Sequence, residues 1–184
     1  MNRGTGRKAR TNPRIVLWDS VCCIDYLNKD GSARSIASIH LYDEAIVGRI
    51  AIVCSALAMT ETQFVANRDR ETSDRMLDDF FQAVQPIALD PAVAVAARNL
   101  QLDHPGALEV RDAIHVATAL VHRIEFLLTN DGAGVGGSPK NKKPMISQSG
   151  KLGGGSLQIV TPAWYVENQH PMDLLEFGHG TENG

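Results

Sequence analysis

The segment RIVLWD at residues 14–19 decides how this chain folds. It is a short run of β-branched and aromatic residues without alternation of polar and apolar positions. Such a run is typical of a strand buried on both faces, as in a parallel sheet covered by helices. The run ends in an acid, Asp19. We therefore expect a buried first strand that delivers a carboxylate to one edge of a sheet.

Helical and strand patterns alternate after this segment. A helix begins near Ser20, which resembles an N-cap residue. Further helices are predicted at about 35–48, 55–65, 72–84, 91–102 and 112–123, and further strands at 50–54, 86–90, 126–129 and 157–160. Such alternation predicts a three-layer α/β/α fold with a mostly parallel central sheet. In sheets of this kind, ligands bind beyond the carboxyl ends of the strands.

The length of the chain bears on the number of domains, and its charge bears on how it could bind nucleic acid. The 184 residues fit one domain, predicted at 14–184 after a disordered basic tail at 1–13. The net charge of −3 argues against binding nucleic acid through the overall charge of the protein. Local basic groups would be needed, and the glycine- and lysine-rich segment 132–157 is predicted to be a flexible loop. Its weak candidates for substrate binding are Lys140, Lys142 and Lys143, which could equally be solvated loop residues.

The cysteines and the apolar runs bear on location. Cys22, Cys23 and Cys54 are set among apolar residues, and we interpret them as unpaired core thiols in a reducing compartment. The N-terminus is basic and polar, unlike a secretory leader. The longest nearly uncharged apolar run, 50–59, is too short to span a bilayer. These features favour a cytoplasmic protein without a membrane partner.

Four acids stand where strand patterns meet helix patterns. Each alone has a structural explanation, such as a helix cap, a favourable helix dipole, a turn or a surface helix position. Together at one edge of a parallel sheet they would repel one another, and a divalent cation would relieve that repulsion. Oxygen ligands without a Cys or His partner suit Mg²⁺ or Mn²⁺. The candidate metal ligands and catalytic residues are Asp19, Glu61, Asp112 and Asp131.

The surroundings of these acids resemble the motifs of the PIN-domain family. The stretch IVLWDS at residues 15–20 is similar to the opening of a PIN domain, and Thr60-Glu61 to the second acidic motif. The stretch RDAIHVATAL at 111–120 resembles the third motif and LLTND at 127–131 the fourth, and these two are the most specific. The resemblance spans about residues 14–165. Within the family, the chain looks most like the bacterial toxin nucleases of VapC type.

This resemblance implies a function. It implies a Mg²⁺- or Mn²⁺-dependent endoribonuclease, often dimeric and held inactive by a cognate antitoxin, whose products carry 5′-phosphate and 3′-hydroxyl ends. Ser20 and Thr129 would be hydroxyl neighbours that orient carboxylate, water or phosphate. Two alternatives stay open. One is a PIN nuclease of RNA processing outside any toxin–antitoxin pair, and the other is a catalytically silent module that binds RNA or protein.

Two further residues lie near these motifs and have ordinary structural explanations. His115 lies one helical turn after Asp112 and could approach the site, but we interpret it as a packed or surface histidine. Asp25 follows Asp19 by six residues, and we expect it on the surface of the first helix.

Overall fold

A parallel sheet forms the centre of the molecule. The computed structural model describes residues 13–62, 65–132 and 144–169, and these ranges contain five strands. The sheet has the spatial order β3-β2-β1-β4-β5, and every neighbouring pair is parallel. In chain order the strands are β1 (Arg14–Trp18), β2 (Ile50–Ser55), β3 (Gln85–Ile87), β4 (Phe126–Leu128) and β5 (Gln158–Val160).

Seven helices connect or follow these strands in the same described ranges. In chain order they are α1 (Ser20–Asn28), α2 (Ala33–Ile46), α3 (Ala56–Glu61), α4 (Arg70–Ala83), α5 (Pro91–Asp103), α6 (Val110–Val121) and α7 (Pro162–Gln169). Most begin after a residue with extended backbone. The N-cap side chains of α2, α4 and α5 accept hydrogen bonds from backbone N–H groups: Ser32 from Ser35, Asp69 from Thr72 and Asp90 from Val93.

Helices cover both faces of the sheet. Val16 and Trp18 of β1 pack on one side, in a core that draws on α1, α2, α4 and α7. Leu17, between them, packs on the other side against α5 and α6. All three side chains are fully buried. Side chains alternate along a strand, so a register slip of one residue would exchange these two cores. The predicted three-layer fold with a parallel sheet is therefore confirmed.

The register brings the carboxyl ends of the central strands together. Trp18, the last residue of β1, lies opposite Cys54 on one side and Leu128 on the other. The backbone N–H of Asp19 then donates to the carbonyl of Leu128 at 3.0 Å, which extends the ladder by one bond. Residues that follow β1, β2 and β4 consequently share one edge of the sheet.

The segment predicted as a flexible loop at 132–157 requires a correction for residues 144–157. Met145, Leu152 and Leu157 are buried in the core beside α5 and α6. Two short 3-10 turns, Met145–Gln148 and Gly153–Gly155, carry this stretch over the sheet. Spaced apolar residues anchor it despite its many glycines. At Gly153 the φ of +60° favours glycine, and an added Cβ atom would also lie 2.1 Å from Leu120 Cδ2, so that the leucine side chain would have to move.

The structure also bears on the predictions for the cysteines, for a membrane span and for the basic segments. The three cysteines are buried and free, as predicted. In the described part of the chain, no helix has the length and apolar character that crossing a bilayer requires. Residues 1–12 of the predicted basic tail at 1–13, and the lysines Lys140, Lys142 and Lys143, lie outside the described residues.

Candidate metal centre

Asp19 is held at the centre of the sheet edge by two hydroxyl groups. Its Oδ2 accepts a hydrogen bond from Thr129 Oγ1 at 2.7 Å, and its Oδ1 accepts one from Ser20 Oγ at 3.1 Å. The residue is 4% exposed. Helix α1 begins at Ser20, so Asp19 occupies the N-cap position that the sequence suggested for Ser20. Its carboxylate makes no capping hydrogen bond, and a helix cap therefore does not explain this acid.

Glu61, the last residue of α3, lies against His115 of α6. His115 Nε2 is 3.0 Å from Glu61 Oε2 and 3.4 Å from Asp19 Oδ1. An ionised carboxylate can only accept, so Nε2 carries a proton in this arrangement. At the other ring nitrogen, Nδ1, His115 is hydrogen-bonded to Ser55 Oγ at 2.8 Å. The histidine thus links the end of β2 to the Glu61 carboxylate.

The pKa shifts of this pair follow from their contact. The hydrogen bond from His115 holds the pKa of Glu61 below its ordinary value, with help from the Arg111 guanidinium. Burial alone would lower the pKa of His115, but the carboxylates of Glu61 and Asp19 outweigh burial, so the pKa is raised. Both shifts favour the charged forms that attract each other.

Asp112 and Asp131 approach the same place from α6 and from the end of β4. Asp112 Oδ2 accepts from the backbone N–H of Glu109 at 3.4 Å, in a capping box that fixes the start of α6. Asp131 Oδ2 accepts from the backbone N–H of Met145 at 3.1 Å. Its own N–H donates to Thr129 Oγ1 at 2.9 Å. Thr129 therefore connects Asp131 to Asp19.

One pocket of about 180 Å³ gathers these groups. All four predicted acids line it, together with Ser20, Arg111 and His115 among others. One ligand atom each of Asp19, Glu61 and His115 lies within 4.8 Å of the other two. The pKa of Asp112 is raised to about 6, first by burial and then by the charges of Asp19 and Asp131. Carboxylates that repel one another in a partly buried pocket are a donor set that fits a hard divalent cation.

The raised pKa of Asp112 predicts a pH-dependent effect on stability. The unfolded chain ionises near 3.8 and the folded protein near 6, so the stability that protonated Asp112 provides is complete below pH 4 and is lost as the pH rises to 6. Without metal, Asp112→Asn should therefore stabilise the fold at pH 7.5 by about 2–3 kcal/mol. Urea unfolding between pH 4.5 and 8 measures this gain, which should shrink toward the acid end.

A matched control for that experiment is Asp103→Asn, at the exposed end of α5. It should leave stability unchanged over the whole range. An Asp112→Asn variant that is less stable than the natural protein at pH 7.5 would show that burial and neighbouring charge do not destabilise the ionised Asp112 carboxylate there.

Two residues at the site differ from their sequence interpretation. His115 is packed, at 1% exposure, but it also lies in the site, which its interpretation as a packed or surface residue did not include. Asp25, expected on the helix surface, is 7% exposed and accepts a hydrogen bond from Asn130 Nδ2 at 2.7 Å. It thereby fixes the residue between Thr129 and Asp131. The sequence contains one signal for the burial of Asp25, which is the acid within the apolar stretch VCCIDYL at 21–27.

The fold and this pocket define a class of protein: a parallel α/β domain with an acidic site at the carboxyl edge of its sheet. Residues 16–133 match the PIN domain family. The chain belongs to the PIN domain family, whose members are in general nucleases.

A solved structure has a similar fold. A chain in the crystal structure of VapBC2 from Rickettsia felis, bound to a DNA fragment from their promoter, aligns with a TM-score of 0.50 and 19% identity. The alignment covers 64% of this chain and 87% of that chain. The comparison with curated proteins gave no match.

Proposed function

We propose that this protein is a metal-dependent endoribonuclease of VapC type, the toxin of a type II toxin–antitoxin pair. The observation that carries the proposal is the convergence of four acids from four separate sequence motifs on one pocket. A structural role for each acid would not require them to meet, and their meeting costs electrostatic energy. A bound cation offsets that cost.

The residues that would hold the cation are Asp19 and Glu61, with Asp112 and Asp131 beside them. Their oxygen donors suit Mg²⁺ or Mn²⁺. When bound, such an ion would polarise the phosphodiester of the substrate and activate a water molecule for in-line attack.

The chain's own residues prepare the site for this chemistry. Thr129 and Ser20 fix both oxygens of Asp19. His115, supported by Ser55, fixes one oxygen of Glu61. Carboxylates restrained in this way need little reorganisation when substrate and cation arrive.

The contact between His115 and Glu61 gives a prediction. His115→Ala should lower RNA cleavage by about 10–100-fold, because loss of a hydrogen-bond partner leaves Glu61 free to turn away from the site. Its Mn²⁺ dissociation constant, measured by calorimetry without RNA, should rise as well. His115→Gln should recover part of both, since its amide N–H can still donate to Glu61. An alanine variant that binds Mn²⁺ and cleaves RNA like the natural protein would refute this role.

The proposal as a whole is tested with a labelled single-stranded RNA. We expect cleavage in Mg²⁺ or Mn²⁺, none in EDTA, and recovery when the metal is restored. An equivalent DNA strand tests the preference for RNA. A protein that binds the RNA but leaves it intact under every metal condition would be a silent binding module, and the nuclease proposal would be wrong.

The toxin role is supported by the VapC-type motifs and by the fold likeness to a chain of VapBC2. A homodimer and an antitoxin partner belong to the same proposal. Its test is expression in a bacterial host, where growth should stop and co-expression of a neighbouring DNA-binding protein should restore it. Normal growth with active enzyme present would instead favour a nuclease of RNA processing.

A further inference from the structure

Arg111 stands at the mouth of the acidic pocket. Among the pocket's lining residues, all in the described part of the chain, it is the one lysine or arginine. Its Nη1 lies 3.2 Å from Glu61 Oε1 and its Nη2 lies 3.7 Å from Glu109 Oε2. The side chain is 62% exposed, whereas that of Glu61 is 14% exposed. The guanidinium therefore faces both the buried acids and the solvent from which a substrate must come.

A phosphodiester that enters this pocket meets strong repulsion. Five carboxylates, the four predicted acids and Glu109, line the pocket, and the protein as a whole carries a net charge of −3. A cation at the acids neutralises part of this charge, but a phosphate oxygen on the solvent side still requires a partner. A guanidinium is suited to that role, because its planar N–H groups bind phosphate in pairs.

The present partners of Arg111 can be exchanged at little cost. The pair with Glu109 joins two solvent-exposed side chains, 62% and 38% exposed, and a pair of this kind contributes only about 0–1 kcal/mol. Glu61 is also a candidate metal ligand, and a cation bound to Glu61 would weaken the attraction of this carboxylate for Arg111. The same arginine also lines an adjoining groove with Gln101, Glu109 and Val110, so it stands where the two depressions meet.

We propose that Arg111 is the phosphate-binding residue of this site, and that its ion pair with Glu61 competes with the metal ion. The inference rests on the proposed nuclease function. It assigns one side chain two opposite effects: Arg111 weakens metal binding to the free protein and strengthens binding of the RNA backbone.

Arg111→Ala tests both effects in the full-length protein. Without RNA, its Mn²⁺ dissociation constant, measured by calorimetry, should fall severalfold because the competing cation is gone. With single-stranded RNA, KM should rise about 10–100-fold, the effect of losing a hydrogen bond to a charged group. The slope of log KM against log salt should decrease by about one, as expected for a lost phosphate contact.

Two further variants complete the test. Arg111→Lys keeps the charge but loses the paired geometry, so Mn²⁺ affinity should stay near that of the natural protein while KM rises partway. Arg98→Ala, an exposed position on α5, should change neither value.

The outcomes separate the two proposals. Cleavage by the natural protein with an unchanged KM in Arg111→Ala would show that Arg111 is only a counterion of Glu61, which overturns this inference and leaves the nuclease intact. If the natural protein neither binds Mn²⁺ nor cleaves RNA, the proposed function fails and the inference fails with it.

Discussion

Asp19→Asn should reduce RNA cleavage by about a thousandfold or more. A metal contributes several kcal/mol of transition-state stabilisation, and each 1.36 kcal/mol is about a factor of ten in rate. Asp19 is the most enclosed of the four acids, at 4% exposure, and its carboxylate lies next to both Glu61 and His115 in the pocket. Asparagine keeps the shape and can still accept from Thr129, but it lacks the charge that a divalent cation requires.

The measurement is the single-turnover rate on single-stranded RNA at saturating Mn²⁺, with circular dichroism to check the fold. Asp79→Asn, an exposed acid on α4, is the matched control and should retain the full rate. Equal rates for Asp19→Asn and the natural protein would place the chemistry outside this pocket.

Mn²⁺ should raise the melting temperature by about 5–10 °C at a hundredfold excess over its dissociation constant. Ligand binding to the folded state alone contributes about 2.7 kcal/mol under that condition, and a domain of this size gains about 2–4 °C per kcal/mol. The gain has a specific origin here, because a cation beside Asp112 would offset the burial and the charges of Asp19 and Asp131 that together raise the pKa of Asp112 to about 6.

The shift should be lost in Asp19→Asn and kept in Asp79→Asn. Differential scanning calorimetry at several Mn²⁺ concentrations gives the dissociation constant together with the shift. A melting temperature that does not respond to Mn²⁺, or that responds equally in Asp19→Asn, would argue against a metal at these acids.

Local patterns were sufficient to predict the fold. The run at 14–19 requires burial on both faces, and the strand patterns at 50–54 and 126–129 repeat that requirement beside helical patterns. In the structure these runs lie side by side, in the order β2-β1-β4. The convergence of Asp19 and Asp131 at one edge follows from the same register, because each ends or follows a central strand.

The contacts around the acids could not be predicted in this way. His115 is one turn from Asp112, but its contact with Ser55 joins residues 60 positions apart and depends on how α6 packs against β2. The hydrogen bond between Asp25 and Asn130 likewise spans 105 positions. Local sequence patterns do not indicate which residues that are far apart in the chain come into contact.

The segment after β4 shows a second limit. Its glycines and lysines gave a composition typical of a flexible loop, and composition ignores the spacing of single apolar residues. Met145, Leu152 and Leu157 are enough to anchor residues 144–157, and the backbone N–H of Met145 contacts Asp131. Part of the supposed loop is therefore ordered, and it holds one acid of the site through a backbone hydrogen bond.

A crystal structure of the protein soaked in Mn²⁺, with anomalous diffraction data, tests most directly whether these acids share a cation. We predict an anomalous peak in the pocket, within about 2.0–2.3 Å of oxygens from Asp19 and Glu61, as expected for a small hard cation. A fully ordered pocket without such a peak, or a peak elsewhere on the protein, would contradict the account.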